Sequence, residues 1–267
     1  MLAAMSDLSM IKGRQREMWA AGDYAAVATP LLIVSELLCE AADLRAGSKV
    51  LDVATGSGNT ALGAARRRCE VIGVDYVPSL LERARERAAV ERLEIRFDEG
   101  DAENLPYADG AFDAVLSSFG VMFAPDQERA AGELLRVCRS GGRIALANWT
   151  PEGFVGQWFQ VTARYAPPPP GIEPPLRWGT EPGLRALFER DMRIERRHYV
   201  LRYRSPQHWL DYFRSNFGPT RQSFERLDAG GQKAFAADLV ALAQRFNRSG
   251  DGTFVAPAEY LEVVLTV

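Results

Sequence analysis

Short apolar runs alternate with stretches of helical period along most of this chain. Val50 to Val53 reads as a buried strand, Glu70 to Val74 as a second, Leu93 to Phe97 as a third, Phe112 to Phe119 as a fourth and Arg143 to Asn148 as a fifth. Between them, a helix from Pro78 to Val90 would bury Leu80, Leu81, Ala84 and Ala88, and another covers Asp126 to Val137. Strands and helices in alternation predict a parallel sheet covered on both faces. Upstream, Met10 to Ala28 reads as helix with a Gly-Asp break, and Leu31 to Ala42 places Leu31, Val34, Leu37 and Leu38 on one face. Late in the chain Arg193 to Tyr203 alternates and Glu259 to Val267 ends in a β-branched run, which gives strands six and seven.

The first strand runs into Ala54-Thr55-Gly56-Ser57-Gly58, a glycine turn that opens a helix. Gly56 and Gly58 permit positive φ and a close approach of ligand to backbone, and the amides of a helix start point outward as donors. Asp75 closes the second strand, where a carboxylate can accept two hydrogen bonds from a ribose diol. This is half of a nucleotide-cofactor site, and Gly56-x-Gly58-x-x-Ala61 by itself also fits a dinucleotide. Asp52, inside the strand just before the turn, would repel a pyrophosphate and attract the ammonium of a methionine moiety. Gly100-Asp101-Ala102-Glu103 adds an acid and a backbone amide after strand three, suited to adenine's exocyclic amine and ring nitrogens.

On these residues the chain resembles the class I S-adenosylmethionine (SAM)-dependent methyltransferases, in the small-molecule, methyltransferase type 11-like group that includes the ubiquinone/menaquinone-biosynthesis C-methyltransferases. The resemblance covers positions 47 to 150: Val50 to Gly58, Gly73 to Asp75, Gly100 to Pro106, Phe112 to Phe119 and Leu134 to Gly142. Ala54 departs from it, standing where the group usually has the first of three glycines. The resemblance implies a Rossmann-like, doubly wound α/β fold with a mostly parallel seven-stranded sheet in the order 3-2-1-4-5-7-6, with strand seven antiparallel. It also implies SAM as cofactor, S-adenosylhomocysteine as product and no metal, with Asp52, Ala54, Thr55, Gly56, Gly58, Asp75, Tyr76, Asp101, Ala102, Glu103 and Ser118 around the cofactor. A flexible N-terminal lid carrying Trp19 would cover the methionine end, the alternative being that Trp19 and Tyr24 anchor this segment to the body. Asp101 has an alternative in turn chemistry, and Ser118 in an ordinary polar strand end.

The whole of 1–267 is expected to form one methyltransferase domain, divided into N-terminal helices and lid (1–45), SAM-binding core (47–150) and two substrate-cap segments (150–180 and 205–256). The first segment holds Pro167 to Pro170, a stiff connector. The second, inserted between strands six and seven, reads as two or three helices rich in aromatics: Trp209, Tyr212, Phe213, Phe217, Phe224, Phe235 and Phe246. About a third of these are expected to reach a pocket over the sulfonium, the rest forming the cap's own core. Phe119, Met122, Trp149 and Trp178 are the expected substrate-pocket residues, suited to a small apolar, aromatic or quinone-like acceptor taken through O, C or N.

Transfer from a sulfonium is an in-line displacement governed by positioning, so a base is needed only if the acceptor must lose a proton. His198 and His208 are the two histidines, each with a structural alternative: a packed strand residue and an exposed helix start. The chain lacks the Asn/Asp-Pro-Pro-aromatic motif of base-amine methyltransferases, carrying Ser117-Ser118-Phe119-Gly120 instead, and lacks the paired glutamates of protein arginine methyltransferases. A SAM-binding sensor without turnover and an NAD(P)-dependent reductase are the alternatives; for the reductase no Tyr-x-x-x-Lys pair is present.

Net charge is −3, with lysine only at positions 12, 49 and 233, which gives no footprint for nucleic acid. Cys39, Cys69 and Cys138 share no metal-ligand spacing and read as reduced thiols. With no uninterrupted apolar stretch of about 18 residues and no secretion signal, the expectation is a cytoplasmic protein without stable membrane insertion, monomeric or homodimeric, acting in secondary metabolism.

Overall fold

The computed structural model describes residues 2–267. Helices α1 (Leu2–Ala20), α2 (Tyr24–Ala28) and α3 (Leu32–Ala41) lead into β1 (Lys49–Val53), α4 (Asn59–Arg66), β2 (Glu70–Asp75), α5 (Pro78–Glu91), β3 (Ile95–Glu99), β4 (Phe112–Ser118), α6 (Gln127–Val137) and β5 (Cys138–Trp149). There follow α7 (Phe154–Tyr165), α8 (Glu181–Phe188), β6 (Met192–Tyr203), α9 (Pro206–Asn216), α10 (Gly218–Glu225), α11 (Ala229–Phe246) and β7 (Phe254–Thr266). Short 3-10 turns lie at Thr29–Leu31, Val121–Phe123 and Pro175–Gly179.

One seven-stranded sheet runs in the order β3-β2-β1-β4-β5-β7-β6. Strands β1 to β5 pair in parallel, whereas β7 is antiparallel to both β5 and β6. The sheet is therefore mixed, not mostly parallel, because β7 contributes long antiparallel ladders on both its sides, from Arg143↔Thr266 to Trp149↔Tyr260 and from Met192↔Leu265 to Tyr203↔Phe254. β1 is buried beyond Lys49, as a central parallel strand must be when helices cover both faces. Edge strand β6 alternates and carries Arg193, Glu195, Arg196 and Arg197, charges that blunt its open side.

Local chemistry sets the boundaries. Pro78 starts α5, and Arg92 ends it in the left-handed conformation at φ 54°, with the Leu93 amide bonded back to Ala88 O at 2.9 Å. That closing turn consumes Leu93 and Glu94, so β3 begins two residues later than periodicity suggests. Asp126 caps α6, its carboxylate accepting from the Arg129 amide at 3.0 Å. The window Tyr24–Ala41 is long and apolar enough to cross a membrane by length and composition alone; in the fold it is α2, a 3-10 turn and α3, and a third of it is buried.

Segment 205–256 supplies α9, α10 and α11. Phe213, Phe224 and Phe235 are buried within it, while Trp209 packs on Phe154, Trp158 and Phe254. These rings form one apolar layer against α7 and β7.

Candidate functional site

A cavity of about 630 Å³ opens at the carboxyl ends of β1 to β4, where the strand order switches between β1 and β4. Its floor is the turn after β1. Ala54 and Gly56 both take positive φ, 54° each, and both line the cavity. A Cβ on Gly56 would sit 3.2 Å from Tyr24 Cε1, so the glycine lets the Tyr24 ring close down on the turn. Gly58, at φ 87°, does not line the cavity; a Cβ there would meet Ala84 Cβ at 3.1 Å, which makes this glycine a contact between the turn and α5. The expectation of cofactor contact at Gly58 is corrected accordingly.

Asp75 forms the wall beside the turn. Its Oδ2 accepts from the Gly56 amide at 2.9 Å and its Oδ1 from the Val77 amide at 2.9 Å. The carboxylate keeps acceptor capacity for a further donor. Burial raises this carboxyl to about 6 although the amides pull the other way. Tyr76 follows it in the wall, its phenol pushed up mainly by burial and then by the charge of Asp75.

Asp52 lies behind the turn. Its Oδ2 accepts from Thr55 Oγ1 at 2.5 Å and from the Ala61 amide at 2.9 Å, and burial brings it to about 7. Asp52, Thr55 and Ser118 line a separate polar space of about 30 Å³, which shares Tyr24, Ala54, Gly56 and Phe119 with the main cavity. Asn59, whose Oδ1 is buried and without a partner among the described residues, lines it too. Asp52 thus bolts the turn to α4 and is not a wall of the main cavity.

Asp101 and Ala102 also line the cavity, and Asp101 Oδ1 accepts from the Glu103 amide at 2.9 Å. Glu103 does not line the cavity: buried at 2% exposure, its Oε1 accepts from the Asp126 amide at 2.8 Å and its other oxygen pairs with Lys12. It ties the chain ahead of α6 to α1 behind the lining, contrary to the expected cofactor contact.

Helix α1 roofs the cavity with Ser9, Lys12, Gly13, Gln15, Arg16 and Trp19. Apart from Trp19, these were not singled out by sequence reasoning. The available signal was spacing: 9, 12, 13, 16 and 19 fall on one side of a helix. Trp19 packs edge-on against Tyr24 at 5.7 Å and Phe123 at 5.0 Å, giving the cavity an aromatic wall.

Phe119 lines that wall, held at φ 59° with Trp149 stacked behind it at 3.8 Å and 4° between planes. Trp149 therefore supports the wall from outside. Met122 and Trp178 are fully buried: Met122 faces the core while its neighbours Val121 and Phe123 face the cavity, and Trp178 packs on Phe188 at 5.7 Å. Neither is a pocket residue. Phe217 meets Trp19 at 5.6 Å from the side away from the cavity, and the cap aromatics at 209, 212, 213, 217, 224, 235 and 246 are all absent from the lining.

Neither histidine belongs to this site. His198 stands half-exposed on edge strand β6 with Nε2 3.6 Å from Glu259 Oε2, and His208 Nδ1 accepts from the Arg204 amide at 3.2 Å in the first turn of α9. Among the described residues, no three His, Cys, Asp or Glu side chains gather as a metal site.

A Rossmann-like seven-stranded sheet with a carboxylate-flanked glycine turn at its switch point defines the class. The "Methyltransferase domain" family matches residues 51–146. Uncharacterized protein Rv1403c of Mycobacterium tuberculosis is 43% identical over 218 residues, 79% of this chain and 80% of that protein. A demethylmenaquinone methyltransferase of Thermus thermophilus is 39% identical over 154 residues, 52% of this chain and 70% of that protein. In fold the chain resembles the YcgJ protein of Bacillus subtilis, with a TM-score of 0.61 at 21% identity over 86% of this chain and 96% of that one. The chain belongs to the SAM-dependent methyltransferases.

Proposed function

We propose that this enzyme transfers a methyl group from SAM to a small apolar acceptor, aromatic or quinone-like in character. The observation that carries the reading is the mixed lining of one cavity, which brings Asp75, Asp101 and Ala102 together with Trp19, Phe119 and Phe123. The polar set fits adenosine: Asp75 retains acceptor capacity for a diol, and the Ala102 backbone and Asp101 present a donor and an acceptor for a purine edge. The sulfonium supplies an electrophilic methyl, and the aromatic wall excludes water and fixes the acceptor's plane beside it. A curated relative named as a demethylmenaquinone methyltransferase supports a quinone-like acceptor. We further place the enzyme in the cytoplasm, with a small molecule and not nucleic acid as its partner.

No histidine faces the cavity, and Tyr24, which burial and then Asp75 push up to about 12, stays protonated. In this reading the acceptor arrives ionised or as a soft nucleophile. The test is release of S-adenosylhomocysteine with a panel of hydroxyaromatic, hydroquinone, amine and thiol acceptors. Turnover confined to the polar amines would overturn the acceptor class.

A further inference from the structure

Helix α1 roofs the cavity and is held in two physically different ways. Lys12 Nζ lies 2.6 Å from Asp101 Oδ2 and pairs also with Glu103, and Arg16 reaches Glu99 at 2.6 Å. Burial alone would lower the Lys12 ammonium, but its bonds to Asp101 and Glu103 outweigh that and raise it. At the other end the chain leaving α1 is interlocked with the α9–α10 junction. A Cβ on Gly22 would fall 2.4 Å from Asn216 O, and one on Gly218 would fall 1.9 Å from Met18 O. Gly22 and Phe217 share an isolated antiparallel bridge, and Tyr212 Oη donates to Ala26 O at 2.9 Å.

The two attachments differ in strength. Lys12–Asp101 and Arg16–Glu99 are partly exposed pairs, weak and screened by salt, whereas in Lys12–Glu103 the carboxylate is buried and holds the ammonium more firmly. A backbone interlock with no room for a methyl group has no such intermediate states. The cavity keeps its volume beneath the closed helix, so closure is compatible with a bound molecule.

We propose that Lys12 is the latch of the cofactor lid: α1 opens by breaking Lys12–Asp101–Glu103 and Arg16–Glu99 while it pivots on the Gly22–Gly218 interlock, and this exchange step is ionic in character. The α9–α11 cap then serves as the fixed bearing of the lid, which accounts for its aromatics being absent from the cavity lining. The proposal rests on the reading of this cavity as the cofactor site.

Stopped-flow tryptophan emission with S-adenosylhomocysteine tests it on the full chain. In Arg16→Met, association and dissociation rate constants should both rise roughly three- to tenfold, the scale of a partly exposed ion pair, and in Lys12→Met, which also leaves the buried Glu103 carboxylate without its ammonium, both should rise further. Lys12→Arg, which keeps the charge, should stay close to wild type. Added salt should speed both steps in the wild type and leave a double Met variant unchanged. Hydrogen exchange should quicken in segment 8–19 of Lys12→Met and not in 212–226. Unchanged rates, a salt response that persists in the double variant, or faster exchange in both segments together would overturn the latch and pivot. Failure of the wild type to bind S-adenosylhomocysteine at all would overturn the cofactor reading instead.

Discussion

The amide of Gly56 donates to Asp75 Oδ2 at 2.9 Å, so the turn after β1 and the acid at the end of β2 form one unit. Substitution at Asp75 therefore acts twice, by removing a ligand acceptor and by releasing the turn. Asp75→Ala is expected to weaken S-adenosylhomocysteine binding by about 1 to 3 kcal/mol, the range for a charge-assisted hydrogen bond lost from a buried site. Isothermal calorimetry, with circular dichroism to check the fold, gives the answer; an unchanged Kd removes Asp75 from the site.

The two glycines of the turn should separate by phenotype. Gly58→Ala adds a methyl group against Ala84 at φ 87°, and should cost about 1 to 2 kcal/mol of stability with modest change in cofactor Kd. Gly56→Ala pushes against the Tyr24 ring inside the cavity and should weaken the cofactor more than it lowers Tm. Thermal melts beside titrations distinguish them, and matching effects on both quantities would contradict the assignment.

Cofactor affinity should depend on pH through Asp75. Burial raises its carboxyl to about 6, and a ribose diol prefers the ionised form, so binding tightens as pH rises through 6 and levels off near neutrality. The stability of the ligand-free protein should move the other way. Asp52, at about 7, and Asp75 bind protons in the folded state that the unfolded chain has already lost, so their contribution falls as pH rises from about 4 to about 7. Asp75→Asn should flatten the affinity profile, and a profile that keeps its slope in that variant would assign the titration elsewhere.

Phe119→Ala and Met122→Ala should part company. Phe119 lines the cavity, so its loss should raise acceptor KM. Met122, fully buried, should cost about 2 to 5 kcal/mol of stability and leave the KM of the folded fraction alone. Steady-state kinetics normalised to folded enzyme decides, and equal KM effects would put Met122 in the pocket.

His198→Ala and His208→Ala should each lower kcat by less than about tenfold, against the 10² to 10⁴ expected for a lost general base. Disappearance of an acidic limb from the pH–rate profile of either variant would identify that histidine as catalytic after all.

What the sequence made legible was local. Asp75 ends a strand, and the glycine turn and Asp101 follow one within two residues, so a short window contains both the element and the group it presents. Lys12 and Asp101 are 89 residues apart, and no periodicity brings them together. Pocket contact at Met122 and Trp149 is expected from their place at a strand end and at Trp178 from its place in the first cap segment, and neither says which side of the chain faces the cavity. Val121 and Phe123 face the cavity and Met122 the core because a 3-10 turn sends successive side chains in different directions. About a third of the cap aromatics are expected at the pocket and none lines it, because three helices that must bury a face spend their rings on one another first.

The placement of β7 bears on how the chain folds. β6 precedes β7 in sequence, yet its one neighbour in the sheet is β7, and β7 is also what joins it to β5. Until Phe254–Thr266 slides between them, β6 has no ladder to join and the backbone edge of β5 from Arg143 to Trp149 stays unpaired. The nucleotide-side strands can assemble from neighbours in βαβ order, while the other half waits for a long-range insertion. Refolding should therefore be biphasic, with ligand competence tied to the slower phase only through the lid's seat on the late-arriving cap. Chaperone demand would fall on that interval, and sequence changes in β7 would alter yield before they altered catalysis.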